Sequence, residues 1–129
     1  MGAQVPKGFG LGRAARIKQN RDFARLRRAG QRATSGCLIA NWGPLPAAGH
    51  SRVGVITSRQ LGNAVVRSRA RRLLREAFRL HQHELAQPLE LVLVARASIV
   101  GKPFGQVEKD FLTMLRKTGL LKGAKPAIG

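Results

Sequence analysis

The sequence has few of the residues that most enzymes use for chemistry. Its 129 residues include six acids, three histidines, one cysteine and no tyrosine. Of the acids, only Glu108 and Asp110 lie close together, where we expect a solvated helix face. No zinc-finger spacing, phosphate-binding glycine loop, dinucleotide fingerprint or nucleophile elbow is present. If the chain takes part in catalysis, we expect the reactive groups to belong to another molecule.

Disulfides and membrane segments are equally scarce. The single cysteine, Cys37, cannot form an intrachain disulfide, which fits a reducing compartment, and we predict that it is a small buried strand residue. No apolar run approaches the ~20 residues that a membrane-spanning helix needs, and the N-terminus lacks a signal-peptide apolar region. His81 and His83 point to different sides of a helix, so we predict no metal site there. We therefore expect a cytoplasmic protein with no membrane partner.

Positive charge is what the sequence has in excess. The chain carries 24 Lys and Arg residues against 6 Asp and Glu residues, a formal net charge of +18. Because 43% of the residues are hydrophobic, the chain is expected to fold as one domain with a real core. Arginine dominates the basic set, which favours planar, bidentate contacts to phosphates. Nucleic acid is therefore the first candidate partner, and an anionic membrane surface is the second.

The most basic segment lies between Leu61 and Leu80, with six arginines and one acid. On a helical projection with Arg67 at zero, one arc of roughly 220–340° is apolar and consists of Val66, Ala70, Leu73, Leu74, Ala77 and Leu80. The arginines fill the arc of roughly 0–200°, and Phe78 lies at the boundary. Like charges at i,i+4 spacing cost a few tenths of a kcal/mol per pair. A helix that accepts this cost is expected to face a polyanion.

The other segments predict a small α+β domain. In chain order, we expect a helix at 18–29, a strand or turn at 31–35, a strand at 37–42, a loop at 43–50, a strand at 52–58, the basic helix capped by Asn63, a strand at 89–95 and a helix at 104–118 stopped by Gly119. The strands at 37–42 and 52–58 are predicted to pair as a hairpin. The strand at 89–95 is apolar on both sides, which predicts a central position. The expected architecture is a two-layer sandwich of a small mixed sheet and three helices, in the order αβββαβα.

The basic segment closely resembles a known signature. Residues 62–76, GNAVVRSRARRLLRE, are similar to the signature of the bacterial ribonuclease P protein component, an Arg-Asn-Arg core followed by basic-basic-apolar-apolar-Arg-Glu. The resemblance covers residues 16–121 and includes Asp22-Phe23, Arg52–Val55 and Leu91–Arg96 in the family order. Two positions depart from the pattern. Ser68 replaces the central asparagine, and Ser58-Arg59-Gln60 stands where the family usually has Ser-Lys-Lys.

The resemblance implies a fold detail and a function. The implied fold has a left-handed βαβ crossover through the basic helix, whereas general chain physics favours the right-handed connection. The implied function is that of a holoenzyme subunit, which binds ribonuclease P RNA and the 5′ leader of precursor tRNA. The RNA subunit with its Mg²⁺ ions would perform the phosphodiester hydrolysis, so the protein would need no catalytic residue, no metal or cofactor of its own and no protein partner. The implied domain covers residues 16–121, between a flexible basic arm at 1–15 and a flexible tail at 122–129.

Two sets of candidate site residues follow from the matched positions. The resemblance assigns to the catalytic RNA a set that we call the docking set, Arg67, Ser68, Arg69, Arg71, Arg72 and Arg75. For the leader groove, between the sheet and the first helix, it assigns Phe23, Arg27 and Arg59. Phe23 could equally be a core residue, and the family often has an aromatic at the position of Arg27.

Other readings fit the composition without the signature. A ribosomal protein or another structural RNA binder would have the same charge and the same lack of active-site residues. A membrane-surface or DNA-compacting protein would also be basic, although the strand-forming segments and the one-sided helix favour it less.

Overall fold

The computed structural model describes residues 30–44 and 51–122, which form a four-stranded sheet and two helices. The elements are β1 (Gln31–Ser35), β2 (Leu38–Pro44), β3 (Arg52–Ile56), α1 (Ala64–His81), β4 (Leu89–Ala95) and α2 (Phe104–Lys117). Single 3-10 turns lie at Arg59–Leu61, Gln82–Glu84 and Ala97–Ile99. The predicted helix at 18–29, the arm at 1–15 and residues 123–129 of the tail fall outside the described residues. The mixed α+β class is confirmed, and the three-helix order and the domain boundaries stay predictions.

The sheet has the strand order β1-β2-β4-β3, with β4 at an interior position. β4 pairs antiparallel with β2 and parallel with β3, so that Leu91 lies opposite Trp42 on one side and Val53 on the other. The predicted hairpin of β2 and β3 is therefore wrong, because β4 separates them. The first five of the seven residues of β4 are all buried. Such a segment requires neighbouring strands along both edges and packed side chains on both faces, which an interior position in the sheet provides.

Both helices pack on the same face of the sheet. α1 contacts β3 and β4, and α2 contacts β1 and β2. The core between the two layers contains fully buried side chains from the strands and from both helices, among them Leu38, Leu91, Leu93, Leu74, Phe78, Val107, Phe111, Met114 and Leu115. Burial of each large side chain stabilises the fold by about 1.5–3 kcal/mol relative to exposure. The buried stripe of α2 consists of Val107, Phe111, Met114 and Leu115, and Trp42 of β2 packs in the same core.

The segment β3–α1–β4 forms a βαβ unit with adjacent parallel strands. The left-handed course of this crossover stays a prediction. In the described part of the chain, neither helix is long and apolar enough to cross a membrane.

The turn between β1 and β2 is fixed from α2. Gly36 adopts a positive φ of 53°, and the Asp110 carboxylate accepts a hydrogen bond from the Cys37 amide at 3.0 Å. The Ser35 hydroxyl donates to the Asp110 carbonyl at 2.8 Å. Burial, together with the neighbouring Asp110, raises the pKa of the Cys37 thiol to about 12. The predicted burial of Cys37 is confirmed, but the residue lies in the turn just before β2 and not in the strand.

The two acids of α2 are not the solvated pair that the sequence predicts. Asp110 holds the β1–β2 turn, and Glu108 accepts from the His81 ring, whose Nε2 lies 2.7 Å from Glu108 Oε2. The other ring nitrogen of His81 lies 2.9 Å from Glu84 Oε2. Both acids face inward because α2 packs against α1 and against the β1–β2 turn, contacts that sequence spacing does not reveal.

Candidate nucleic-acid interface

The basic helix α1 starts at the cap that the sequence predicts. Asn63 Oδ1 accepts a hydrogen bond from the Val66 amide at 3.0 Å. The first turn contains no acid, so no carboxylate offsets the partial positive charge of the helix N-terminus. Gly62, just before the cap, has a φ of 149°, and a Cβ there would lie 3.0 Å from the Val66 side chain. The start of α1 is thus fixed, and its amide end is electropositive.

The buried side of α1 is rotated relative to the prediction. The buried residues are Ala70, Leu74, Ala77 and Phe78. On the same projection they run from roughly 280° through zero to about 20°, whereas the apolar arc was predicted at roughly 220–340°. The rotation is due to Phe78, which lies at the boundary of the predicted arc but is fully buried, so that the buried side of the helix is shifted toward it.

This rotation divides the docking set into two groups. Arg67, Ser68, Arg71 and Arg75 are half-buried, whereas Arg69 and Arg72 are exposed. The basic surface of the helix is therefore graded in exposure, and among its half-buried arginines Arg71 contacts Thr57, just after β3.

Arg71 is held in place by two hydroxyl groups. Its guanidinium donates to Thr57 Oγ1, just after β3, at 2.9 Å, and to Ser68 Oγ at 3.1 Å. Ser68 occupies the position of the family asparagine, and here it orients a neighbouring arginine. Because a rigidly held guanidinium loses less side-chain entropy on binding phosphate, this arrangement favours Arg71 as a fixed contact.

The arginines at 67, 69 and 72 differ from Arg71 in their internal contacts. Arg69 donates to the Lys102 carbonyl at 2.9 Å, across the gap between α1 and the segment after β4. Within residues 30–44 and 51–122, Arg67 and Arg72 make no hydrogen bond or ion pair through their guanidinium groups. Both are therefore available to an external anion.

The acids of the described chain are used elsewhere. Glu76, the only acid on α1, binds Arg79, and the hydrogen bond from Arg79 holds the pKa of Glu76 below its ordinary value. The remaining acids bind His81, Arg52 or the Cys37 amide; they are Glu84, Glu90, Glu108 and Asp110. No described carboxylate pairs with Arg67, Arg69, Arg71 or Arg72, so their positive charge is not neutralised within the described protein.

The predicted leader groove is only partly within the described residues. Arg59 is exposed in the 3-10 turn between β3 and α1, and Phe23 and Arg27 lie outside the described residues. The grouping of these three residues therefore stays a prediction.

An ion pair lies on the sheet face opposite α1 and α2. Arg52 donates to Glu90 Oε2 at 3.0 Å, and Glu90 is only 3% exposed. Sequence reasoning missed this pair. The available signal was one charged residue, Glu90, inside an otherwise apolar strand, since a buried carboxylate requires a partner.

Metal ligands are not clustered in the described chain. Among residues 30–44 and 51–122, no group of three or more His, Cys, Asp or Glu side chains could hold a metal ion. The chemistry that the described surface offers is anion binding through guanidinium groups and one helix N-terminus.

Comparison with known proteins decides the family. The sequence model of the Ribonuclease P family matches residues 11–119. The chain belongs to the ribonuclease P protein family. The ribonuclease P protein component of Syntrophomonas wolfei is 34% identical over 110 residues, which cover 85% of this chain and 92% of that protein.

Solved structures of ribonuclease P proteins share the fold. The Staphylococcus aureus protein superposes with a TM-score of 0.77 at 25% identity, over 85% of this chain and 100% of that chain. The Thermotoga maritima protein superposes with a TM-score of 0.72 at 22% identity, over 79% of this chain and 96% of that chain. Ribonuclease P protein components act with an RNA subunit in a tRNA-processing ribonuclease, and this chain has the role of the protein subunit.

Proposed function

We propose that the docking set on α1 binds the folded ribonuclease P RNA. The observation that carries this proposal is the charge pattern of α1. Every described acid has an internal partner, while Arg67 and Arg72 have none within the described chain and Arg71 is held rigidly by Thr57. Guanidinium groups in this arrangement can neutralise phosphates that repel one another where RNA helices are packed closely.

The bond cleavage is assigned to the RNA. In this proposal the RNA subunit and its Mg²⁺ ions hydrolyse the phosphodiester, and the protein supplies no catalytic group, no metal ligand and no further protein partner. The support is the family role with an RNA subunit, together with a described surface suited to binding phosphates. The family resemblance also leads us to infer a left-handed β3–α1–β4 crossover, which an experimental structure would check.

The second task of the protein is to hold the 5′ leader of precursor tRNA. Phe23, Arg27 and Arg59 are the proposed leader contacts, through stacking and charge. Arg59 supports this assignment by its exposed position where the chain leaves β3. The experiment that tests these leader contacts compares the affinity of the holoenzyme for precursor tRNA with its affinity for mature tRNA. We expect Arg59→Ala to weaken binding of the precursor only, and equal weakening of both RNAs would contradict a leader contact.

Cleavage of precursor tRNA tests the subunit function directly. Cognate ribonuclease P RNA at low Mg²⁺ concentration is assayed with and without the chain, with no other protein present. We expect faster release of the leader when the chain is added. RNA binding without faster cleavage would indicate a structural RNA binder instead, and cleavage by the chain without RNA would show that it carries its own catalytic groups.

A matched pair of variants tests the docking surface. Arg72→Ala removes an exposed charge on α1 that has no described internal partner, and Arg116→Ala removes an exposed charge on α2. We expect Arg72→Ala to weaken RNA binding and Arg116→Ala to leave it nearly unchanged, because only α1 carries the docking set. Equal effects of the two variants would mean that net charge, rather than this surface, determines binding.

A further inference from the structure

A small apolar pocket lies beside the docking set. It opens between the second turn of α1 and the segment that follows β4, and it is lined by Val66, Arg69, Ala70, Ile99, Val100 and Gly101. Its volume is about 160 Å³. Val100, at its rim, is 48% exposed although it is a large apolar residue. Ala70 and Ile99 belong to the hydrophobic core, whereas the exposed Val100 does not, and neither the charge pattern of α1 nor the signature accounts for its exposure.

The size and lining of the pocket limit its occupant. Cavities of about 150 Å³ lined by aliphatic side chains admit a single benzene-sized ring, whereas sites for drug-sized ligands begin near about 300 Å³. A planar ring of one nucleobase is therefore the right scale. The aliphatic walls formed by Val66, Ile99 and Val100 would contact the faces of such a ring by dispersion.

The charges around the pocket select a ring that is attached to an anion. Arg69 lines the pocket, and its guanidinium donates a hydrogen bond at 2.9 Å to the carbonyl of Lys102, the residue that follows Gly101 of the pocket. A planar guanidinium can stack on a base and attract the adjacent phosphate. The acid-free first turn of α1, which contributes Val66 to the pocket, adds positive charge nearby. A protein segment with an apolar side chain would gain nothing from these charges.

We propose that this pocket binds one unpaired nucleobase of the ribonuclease P RNA, turned out of its stack, while Arg69 contacts the base and its phosphate. The inference rests on the proposed docking of α1 on that RNA and adds a shape-selective contact to a charge-based one. Phosphate contacts fix the register and orientation of the protein, whereas contacts to an unpaired base make the binding specific for that site of the RNA. No covalent step is involved.

The salt dependence of binding separates the pocket from the charges. Val100→Ser removes apolar contact without changing charge, and Val65→Ser is its control, since Val65 is 75% exposed on the same helix turn and does not line the pocket. We expect Val100→Ser to bind the RNA about 3- to 10-fold more weakly at every salt concentration with an unchanged slope of log K against log salt. Val65→Ser should match the wild type. Arg69→Lys keeps the charge but loses the planar group, so it should also weaken binding without changing the slope.

Chemical probing identifies the base. The RNA is treated with dimethyl sulfate or a carbodiimide, which modify the pairing edges of unpaired bases, in the presence of each variant. We expect one unpaired base that is protected by the wild-type chain and by Val65→Ser, and exposed again with Val100→Ser. Equal affinity and an identical footprint for Val100→Ser would overturn the inference, and so would a wild-type dimer in sedimentation that Val100→Ser abolishes.

The outcome is distinguishable from failure of the proposed function. If the wild-type chain neither binds the RNA nor accelerates cleavage, the docking proposal itself fails. If the wild-type chain does both and Val100→Ser behaves identically, only the pocket assignment fails.

Discussion

At the scale of single residues, acids that look like ordinary surface residues in the sequence make specific contacts in the fold. Asp110 looks like a solvated helix residue in the sequence, yet its carboxylate satisfies the buried Cys37 amide. The turn requires glycine at position 36, because a Cβ there would lie 2.3 Å from Asp110 Oδ2. Its φ of 53° is also one that residues with a side chain rarely adopt. Sequence patterns report the polarity of a residue but not its distant partner, and here the partners are 73 positions apart.

Removal of the Asp110 carboxylate should destabilise the fold. Asp110→Ala leaves the buried Cys37 amide without its acceptor, and we expect a loss of about 1–3 kcal/mol in the free energy of unfolding. Asp110→Asn keeps a carbonyl oxygen at the same place and should lose less. Urea denaturation of both variants checks this order. An equal loss in both would mean that the charge of Asp110, and not its acceptor geometry, matters.

His81 should make stability depend on pH. Burial acts to lower the pKa of His81, but the hydrogen bonds to Glu108 and Glu84 outweigh it, so the pKa of the folded state is raised above its ordinary value of 6.5. The stabilisation is therefore complete below about pH 6.5 and is lost as the pH rises through the folded pKa. The neighbours of the ring are Glu84, Glu108 and Phe111, and His83 contacts Glu84 from the solvent side.

Comparison of two histidine variants measures this effect. The difference in unfolding free energy between the wild type and His81→Gln should be largest near about pH 5.5 and should shrink toward about pH 8.5. His83→Gln, at a site 55% exposed, should show a much flatter difference. A His81→Gln difference that grows with pH would contradict the raised pKa.

At the scale of elements, the helices were predictable and the order of the strands was not. The presence of α1 and α2, the Asn63 cap and the Gly119 stop all follow from local chemistry, and the structure confirms them. The pairing of strands is non-local. Two strands joined by a loop predict a hairpin, yet β4 separates them because its apolar residues need cover on both faces. The rotation of α1 toward Phe78 likewise depends on the opposing core, which helical periodicity cannot specify.

The Asn63 cap should contribute measurably to α1. Asn63→Ala removes the acceptor of the Val66 amide, and we expect a loss of about 1 kcal/mol in stability. Asn63→Ser retains a capping oxygen and should stay close to the wild type. Thermal denaturation followed by circular dichroism compares the two. A stable Asn63→Ala variant would show that packing alone fixes the start of the helix.

At the scale of the whole molecule, the negative and positive charges differ in where their partners lie. The described acids bind within the protein, while much of the basic side of α1 does not. The net charge of +18 and the family signature predict α1 as the helix that carries the docking set, and this assignment stays a prediction. They could not predict that Ser68 and Thr57 fix Arg71, because Thr57 follows β3 and meets α1 only in the folded protein.

Binding to ribonuclease P RNA should therefore weaken steeply with salt. If roughly 4–6 phosphates are contacted, log K should fall with log salt at a slope of about −3 to −5. Arg67→Ala should make the slope shallower by nearly one, since Arg67 has no partner in the described chain. Filter binding between about 50 and 200 mM salt provides the measurement. A slope near zero would exclude a phosphate-dominated interface.

The interior position of β4 has a consequence for synthesis on the ribosome. β4 is the last of the four described strands, yet it joins β2 to β3. A growing chain therefore cannot close its sheet until Ala95 has left the exit tunnel, and α1 is made before the surface that buries it is complete. During that interval the nascent chain displays an unfolded, arginine-rich segment close to ribosomal RNA. Slow emergence of β4 should therefore prolong the time during which non-specific binding of this segment to RNA competes with folding.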